Sequence, residues 1–216
     1  SLGEYTALVY AGALAFEDAV RLVHQRGQFM EEAGRENPGA MVAVIGAERE
    51  RLNDVLAGAR EFGVAEIANF NCPGQIVVSG SAAAMDWLVK NVKNFGPLRA
   101  VKIPVTGAFH SRLMAPASER LSQALAAVGV SQPHAPVVSN VTAKFVTNAA
   151  EVRGLLVQQL TSPVLWEDSM RFLLSTGVAR FIEVGPGKVL KGLLAKIEEG
   201  RQAQNIETPA DIETVQ

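Results

Sequence analysis

The chain has 216 residues, 48% of them hydrophobic and 19% charged, with a formal net charge of -2. That composition supports a sizeable core and excludes wholesale disorder, while the absence of a basic excess argues against a general nucleic-acid binder. A single cysteine, Cys72, excludes an intrachain disulfide and a cysteine-rich metal site, and no apolar run approaches the ~18 residues a transmembrane helix needs. With 19 glycines, 6% aromatics and no basic-then-apolar leader in view, the expectation is a reduced, cytosolic α/β protein without a membrane partner.

In chain order, residues 6–9 read as a short helix stopped by Gly12. A second helix spans about 16–33, with Glu17 and Asp18 suiting the positive end of its dipole. Its apolar stripe is Phe16, Ala19, Val20, Val23, Met30 and Ala33, at helical spacing. Residues 34–39, with Asn37-Pro38, read as a linker. Next come a strand at 41–45, a helix at 48–59, strands at 64–70 and 75–79, a helix at 82–92 and a strand at 98–103. The order β-α-β-β-α-β is that of a ferredoxin-like subdomain, inserted because the pattern after it changes. Residues 106–110 form a loop, 113–128 a helix ended by Gly129, and 137–141 a short buried strand. Helices follow at 151–160 and 164–174, the second closed by Gly177. A strand at 178–184 turns through Gly185-Pro186-Gly187 into a last helix at 189–197. From Glu198 the chain is polar and expected to fray.

Three features bear on chemistry. Arg26, three residues after Val23, falls on the buried stripe, and a buried arginine must be paired. It is either a structural ion pair with an aspartate or glutamate, or a clamp for an anionic substrate group, since guanidinium suits bidentate carboxylate recognition. His110 lies in a Gly-Ala-Phe-His loop between a strand end and a helix start, where α/β proteins hold reactive groups, and its imidazole can serve as a base. The plain alternative is a hydrogen-bonded loop histidine. His24, off the stripe, and His134, in a Pro-flanked loop, read as solvated. The 185–187 turn opens a helix that can take an anion, or is simply a tight strand–helix turn; no phosphate-loop or dinucleotide fingerprint occurs. Ser1-Leu2-Gly3 is the second half of a Gly-x-Ser-x-Gly elbow, weak by itself.

Together these pieces resemble the malonyl-CoA:acyl carrier protein transacylase family. The matching blocks are Ser1-Leu2-Gly3-Glu4-Tyr5, Arg26-Gly27-Gln28-Phe29-Met30, Asn69-Phe70-Asn71-Cys72-Pro73-Gly74-Gln75, Gly107-Ala108-Phe109-His110-Ser111, Gln159-Leu160 with Pro163-Val164 and Trp166, and the run from Glu183 to Leu190. Their order and spacing from residue 1 to about 197 make the match specific. The resemblance implies an α/β-hydrolase-like core, residues 1–38 and 105–216, with a ferredoxin-like insert at 39–104. It implies a Ser1–His110 dyad that takes malonyl from coenzyme A as a serine ester and passes it to the phosphopantetheine thiol of acyl carrier protein, in fatty acid biosynthesis. It assigns Arg26 to the malonyl carboxylate and Phe109 to malonyl selectivity. Asn71 goes to pocket lining, or to a turn capping Pro73. Leu2 N–H is assigned to the oxyanion, and the Gln159 carbonyl orients His110. No tightly bound cofactor or metal is expected, and the expected state is a monomer.

The family pattern departs at the front. The chain opens on Ser1, and the segment that precedes the serine in the family, including the loop that supplies a second oxyanion donor, has no counterpart here. The expectation is the larger part of a two-subdomain enzyme, inactive or poorly folded as an isolated piece. Rival readings are an N-terminal-nucleophile hydrolase using Ser1, whose stacked antiparallel sheets do not suit this α/β order, and an acyltransferase domain of a polyketide or fatty acid synthase. A third is a carrier-protein docking fragment, using a basic cluster of Lys188, Lys191, Lys196 and Arg201, against the plain reading of a solvated helix face.

Overall fold

The computed structural model describes residues 1–215. Helix α1 (Leu2–Tyr10) starts directly after Ser1 and ends before Gly12, whose φ of +72° is cheap only for glycine. Helix α2 (Phe16–Glu36) is longer than the 16–33 expected, so the first half of the expected 34–39 linker is helical and its last residue, Gly39, opens a strand. Its buried face is Ala19, Leu22, Arg26, Met30 and Ala33. Two residues of the expected stripe are out of place: Phe16 is 66% and Val20 47% exposed. They sit beside the buried seam, on the flank that α2 shares with Leu2, Tyr10 and Val9 of α1.

Strands β1 (Gly39–Ala47), β2 (Ala65–Cys72), β3 (Gly74–Ser81) and β4 (Arg99–Ile103) form one antiparallel sheet in the order β2-β3-β1-β4. Helices α3 (Arg49–Arg60) and α4 (Ala82–Asn91) cover one face. The pleat explains the split: Val42, Val44, Ile76 and Val78 point to those helices with Leu52, Leu56, Met85 and Leu88, while Met41 and Val77 point the other way, against Phe109. Residues 92–95 make a 3-10 turn after α4.

The remaining chain packs around α2. After a 3-10 turn at 112–114, helix α5 (Ala115–Ala126) begins at Ala115 with Pro116 in its first turn, later than the expected 113. The expected strand at 137–141 reduces to β5 (Val137–Val138), paired only with β6 (Phe145–Val146). Asn148 caps α6 (Ala149–Gln158) by accepting from Glu151 N–H at 3.1 Å. Helix α7 (Trp166–Ser175) starts two residues after the expected 164, because Val164 is held in extended form: its N–H donates to Ala68 O at 2.8 Å and its carbonyl accepts from Phe70 N–H at 3.0 Å. Strand β7 (Phe181–Val184) leads to α8 (Val189–Ile197) and then to β8 (Ala203–Ile206), which pairs in parallel with β7. The tail expected to fray is therefore a strand followed by a 3-10 turn at 209–214. Tyr5, Leu8, Leu22, Met30, Met114, Leu121, Leu156 and Leu160 form the larger core. Among the described residues no helix is long and apolar enough to cross a membrane.

Candidate active site

Four residues far apart in sequence converge on the start of α1. Arg26, on the buried face of α2, donates from Nη2 to Ser1 Oγ at 2.7 Å and to Gln159 Oε1 at 3.1 Å. Gln159 lies just beyond α6, is fully buried, and accepts from His110 Nδ1 with its main-chain carbonyl at 2.8 Å. A carbonyl can only accept, so Nδ1 carries the proton and Nε2 keeps its lone pair free. Burial pushes the His110 imidazole down to about 4; the Gln159 carbonyl and, more weakly, the Ser162 backbone oppose it, while the Ser1 ammonium and Arg26 add to it. The ring is therefore neutral, and able to take a proton, across the neutral range.

The loop carrying His110 is locally constrained. His110 has φ of +60°, the left-handed region that a side chain enters at a cost of order 1 kcal/mol or more. Ser111 holds it there, donating from Oγ to Ala108 O at 2.6 Å and accepting from Leu113 N–H. Two close approaches seat the loop. A Cβ on Gly34 of α2 would stand 3.1 Å from Thr106 O, and one on Gly39 would stand 2.6 Å from Ala108 Cβ. At Gly39 only glycine fits without displacing the loop, while at Gly34 an added carbon would require the loop to give by a few tenths of an ångström.

Arg26 has no ion-pair partner among the described residues, so the structural-pair reading of it fails. Its neighbours are neutral acceptors and the Tyr5 ring, whose centroid lies 5.5 Å from the guanidinium carbon. Its Nε and the Tyr5 hydroxyl are buried outside good hydrogen-bond geometry, and burial pushes the Tyr5 phenol up to about 12, with the adjacent Arg26 guanidinium opposing the shift. A desolvated cation with a spare donor is a receptor for a carboxylate. Beside it stand a hydroxyl, a neutral imidazole and the first N–H groups of a helix, a set that suits acyl transfer through a serine ester.

Leu2 follows Ser1 in the first turn of α1, with its side chain exposed and its N–H free of intrahelical partners. Phe109 is half-buried, packed between the larger core and the sheet face carrying Met41 and Val77. Asn71 stands half-buried near the end of β2, and none of the hydrogen bonds of the cluster reaches it. Lys188 precedes α8 and is exposed, while Lys191 is half-buried. The N-terminus of α8 that could have taken an anion is filled from within: the Glu183 carboxylate accepts from Leu190 and Lys191 N–H at 3.0 and 2.8 Å, and Glu207 accepts from Gly187 N–H. His24 and His134 are exposed. Among the described residues no group of histidine, cysteine and carboxylate side chains could hold a metal.

Glu4 is the residue that motif reading passed over. It is buried, and its Oε2 accepts from Gln159 Nε2 at 2.6 Å and Asn140 N–H at 3.1 Å. Burial pushes its carboxyl up, against these hydrogen bonds. The available signal was the Ser1-x-x-Glu4 spacing, which resembles a capping box. The side chain turns into the protein instead of back to the helix start.

Residues 1–214 match the acyl transferase domain family. The chain is similar to the malonyl CoA-acyl carrier protein transacylase of Bacillus subtilis, 45% identical over 214 residues, which covers 99% of this chain and 68% of that relative. The crystal structure of malonyl CoA-acyl carrier protein transacylase from Clostridium perfringens superposes with a TM-score of 0.93 at 37% identity, covering 98% of this chain and 67% of that one. A malonyl-transacylase solved in complex with a type II polyketide synthase acyl-carrier protein gives 0.93 at 36% identity, covering 98% and 68%.

Proposed function

The chain belongs to the malonyl CoA-acyl carrier protein transacylase family, and on that premise we propose that it transfers malonyl from coenzyme A to the phosphopantetheine thiol of acyl carrier protein in fatty acid biosynthesis. The observation that carries the proposal is the buried Arg26 guanidinium, 2.7 Å from Ser1 Oγ and without a carboxylate partner. The malonyl carboxylate would complete that pairing and set the thioester carbonyl beside the hydroxyl. An acetyl group leaves the cation unpaired, a difference polar sites convert into strong discrimination.

In the first half-reaction His110 Nε2 takes the Ser1 Oγ proton as the oxygen attacks the thioester carbonyl. The Leu2 N–H, at the positive end of α1, faces the developing oxyanion. Collapse breaks the C–S bond, and the imidazolium returns its proton to the coenzyme A thiolate. In the second half-reaction His110 deprotonates the phosphopantetheine thiol, which attacks the malonyl-serine ester. The C–O bond breaks and Ser1 recovers its proton. The Gln159 carbonyl holds the imidazole in the required tautomer, as the carboxylate of a triad otherwise does.

The same reading assigns Phe109 and Asn71 to the acyl pocket and Lys188 and Lys191 to the acidic carrier protein. The protein acts as a cytoplasmic monomer without a tightly bound cofactor. Residues 39–104 are read as a ferredoxin-like unit inserted into an α/β-hydrolase-like core of residues 1–38 and 105–216. The strand order β2-β3-β1-β4, with two helices on one face, supports the insert. Joint packing of residues from both flanking segments in the larger core supports the second. The test is mass analysis of the protein after malonyl-CoA: one malonyl adduct on the Ser1 peptide, abolished in Ser1→Ala. A label that persists in Ser1→Ala ends the proposal.

A further inference from the structure

The Gln159 side chain sits between the two halves of the site, and what aims it is Glu4. An amide can be placed in two orientations, and its surroundings decide between them. Here the amide oxygen faces Arg26, a pure donor, and the amide nitrogen faces two pure acceptors, Glu4 Oε2 at 2.6 Å and Ser1 O at 3.3 Å. Reversed, the NH2 would meet the guanidinium and the oxygen would meet the Glu4 carboxylate and the Ser1 carbonyl, three unfavourable contacts in a buried place. Glu4 is itself aimed by Asn140 N–H, which donates to the same Oε2 at 3.1 Å.

We propose that Glu4 is a positioning residue for malonyl selectivity: through the Gln159 amide it holds the Arg26 guanidinium where the substrate carboxylate must meet it. This rests on the reading of Arg26 as the malonyl clamp. Glu4 touches neither substrate nor the reacting atoms. It acts through Gln159, whose oxygen fixes Arg26 Nη2 in the same geometry that places it on Ser1 Oγ. Without the carboxylate the amide is free to rotate, the guanidinium loses its orientation, and the energetic advantage of malonyl over acetyl shrinks. Transfer of acetyl, which has no carboxylate for the clamp, changes much less than transfer of malonyl.

The experiment compares Glu4→Leu, Glu4→Gln and wild type, each checked for folding by circular dichroism and thermal unfolding, for kcat and KM with malonyl-CoA and acetyl-CoA. Glu4→Leu should lower the malonyl-to-acetyl ratio of kcat/KM about tenfold, mainly through a raised KM for malonyl-CoA. That is the effect of losing one charge-assisted hydrogen-bond link. Glu4→Gln, which offers an oxygen in the same place to Asn140 and Gln159, should keep the ratio within about threefold. A folded Glu4→Leu with an unchanged ratio, or with malonyl and acetyl lost equally, overturns the proposal and leaves a structural carboxylate. Should Glu4→Leu not fold, Glu4→Leu/Gln159→Leu removes both partners, which is milder for stability. The same fall in ratio is expected, and a retained ratio overturns the link. Wild type that takes no malonyl on Ser1 ends the clamp reading and this proposal together. Wild type that does, with selective variants unchanged, ends this proposal alone.

Discussion

At the scale of single residues, His110 couples chemistry to stability. Its imidazole is 6% exposed and pushed down to about 4, below the ordinary value near 6.5 that the unfolded chain keeps. Between these values the unfolded chain binds a proton that the folded protein refuses. The contribution to stability is therefore complete above about 6.5 and lost as pH falls toward 4, by roughly 3 kcal/mol in all. Thermal unfolding followed from pH 7 to 4 should show this loss, and His110→Gln should flatten it. The acid limb of kcat/KM should fall near 4 in wild type. A limb at 6.5, with the same stability slope in His110→Gln, would contradict a buried neutral base. The burial of Arg26 and the loop placement of His110 were legible from position, one on an apolar helical stripe and the other between a strand and a helix, while position left their roles open. Glu4 was not, because its partners Gln159 and Asn140 lie more than a hundred residues away and its one local mark, the Ser1-x-x-Glu4 spacing, points to a helix cap rather than to a buried carboxylate.

At the scale of elements, what matters is how close backbones approach around the His110 loop. Strand β1 begins at Gly39, where a Cβ would come within 2.6 Å of both Ala108 Cβ and Gly80 O. Gly39→Val must push the loop or the β1–β3 pairing aside, and overpacking of this kind costs about 1–3 kcal/mol. Its denaturant midpoint should drop accordingly, and malonyl loading should fall further than stability does, since Ala108 is two residues from His110. Gly129→Ala, with nothing within 4 Å of the added carbon, should change neither. The amphipathic helices and the antiparallel strands could be read locally because their periods are written in adjacent residues. Strand β8 could not. Residues 203–206 are Ala-Gln-Asn-Ile, half polar, and become a strand only by pairing with β7 across α8. Phe16 and Val20 misled for the opposite reason: they keep helical spacing with the stripe but flank the seam set by Leu22 and Arg26.

At the scale of the whole molecule, two hydrophobic cores must keep a fixed relation, because Phe109 packs on the sheet while His110, next to it, bonds to Gln159. Two kinds of link join them. One is backbone: Val164, five residues after Gln159, exchanges hydrogen bonds with Ala68 and Phe70 at the β2 edge. The other is ionic: Arg49 of α3 pairs with Asp168 and Glu167 of α7 and lies over the Phe70 ring at 4.1 Å, while Arg112 pairs with Glu66. The side chain of Arg49 is 37% exposed, so its ion pairs are screened and contribute about 1 kcal/mol or less. The backbone link is local to Gln159 and has no charge to screen. Arg49→Ala should therefore lower the melting temperature by only about 2–4 °C and leave malonyl transfer within about twofold. Added salt should narrow even that difference, since it weakens the wild-type pair and leaves the variant untouched. A loss of transfer much larger than the loss of stability would mean that the ion pair, not the β2 edge, holds Gln159 in register with the sheet.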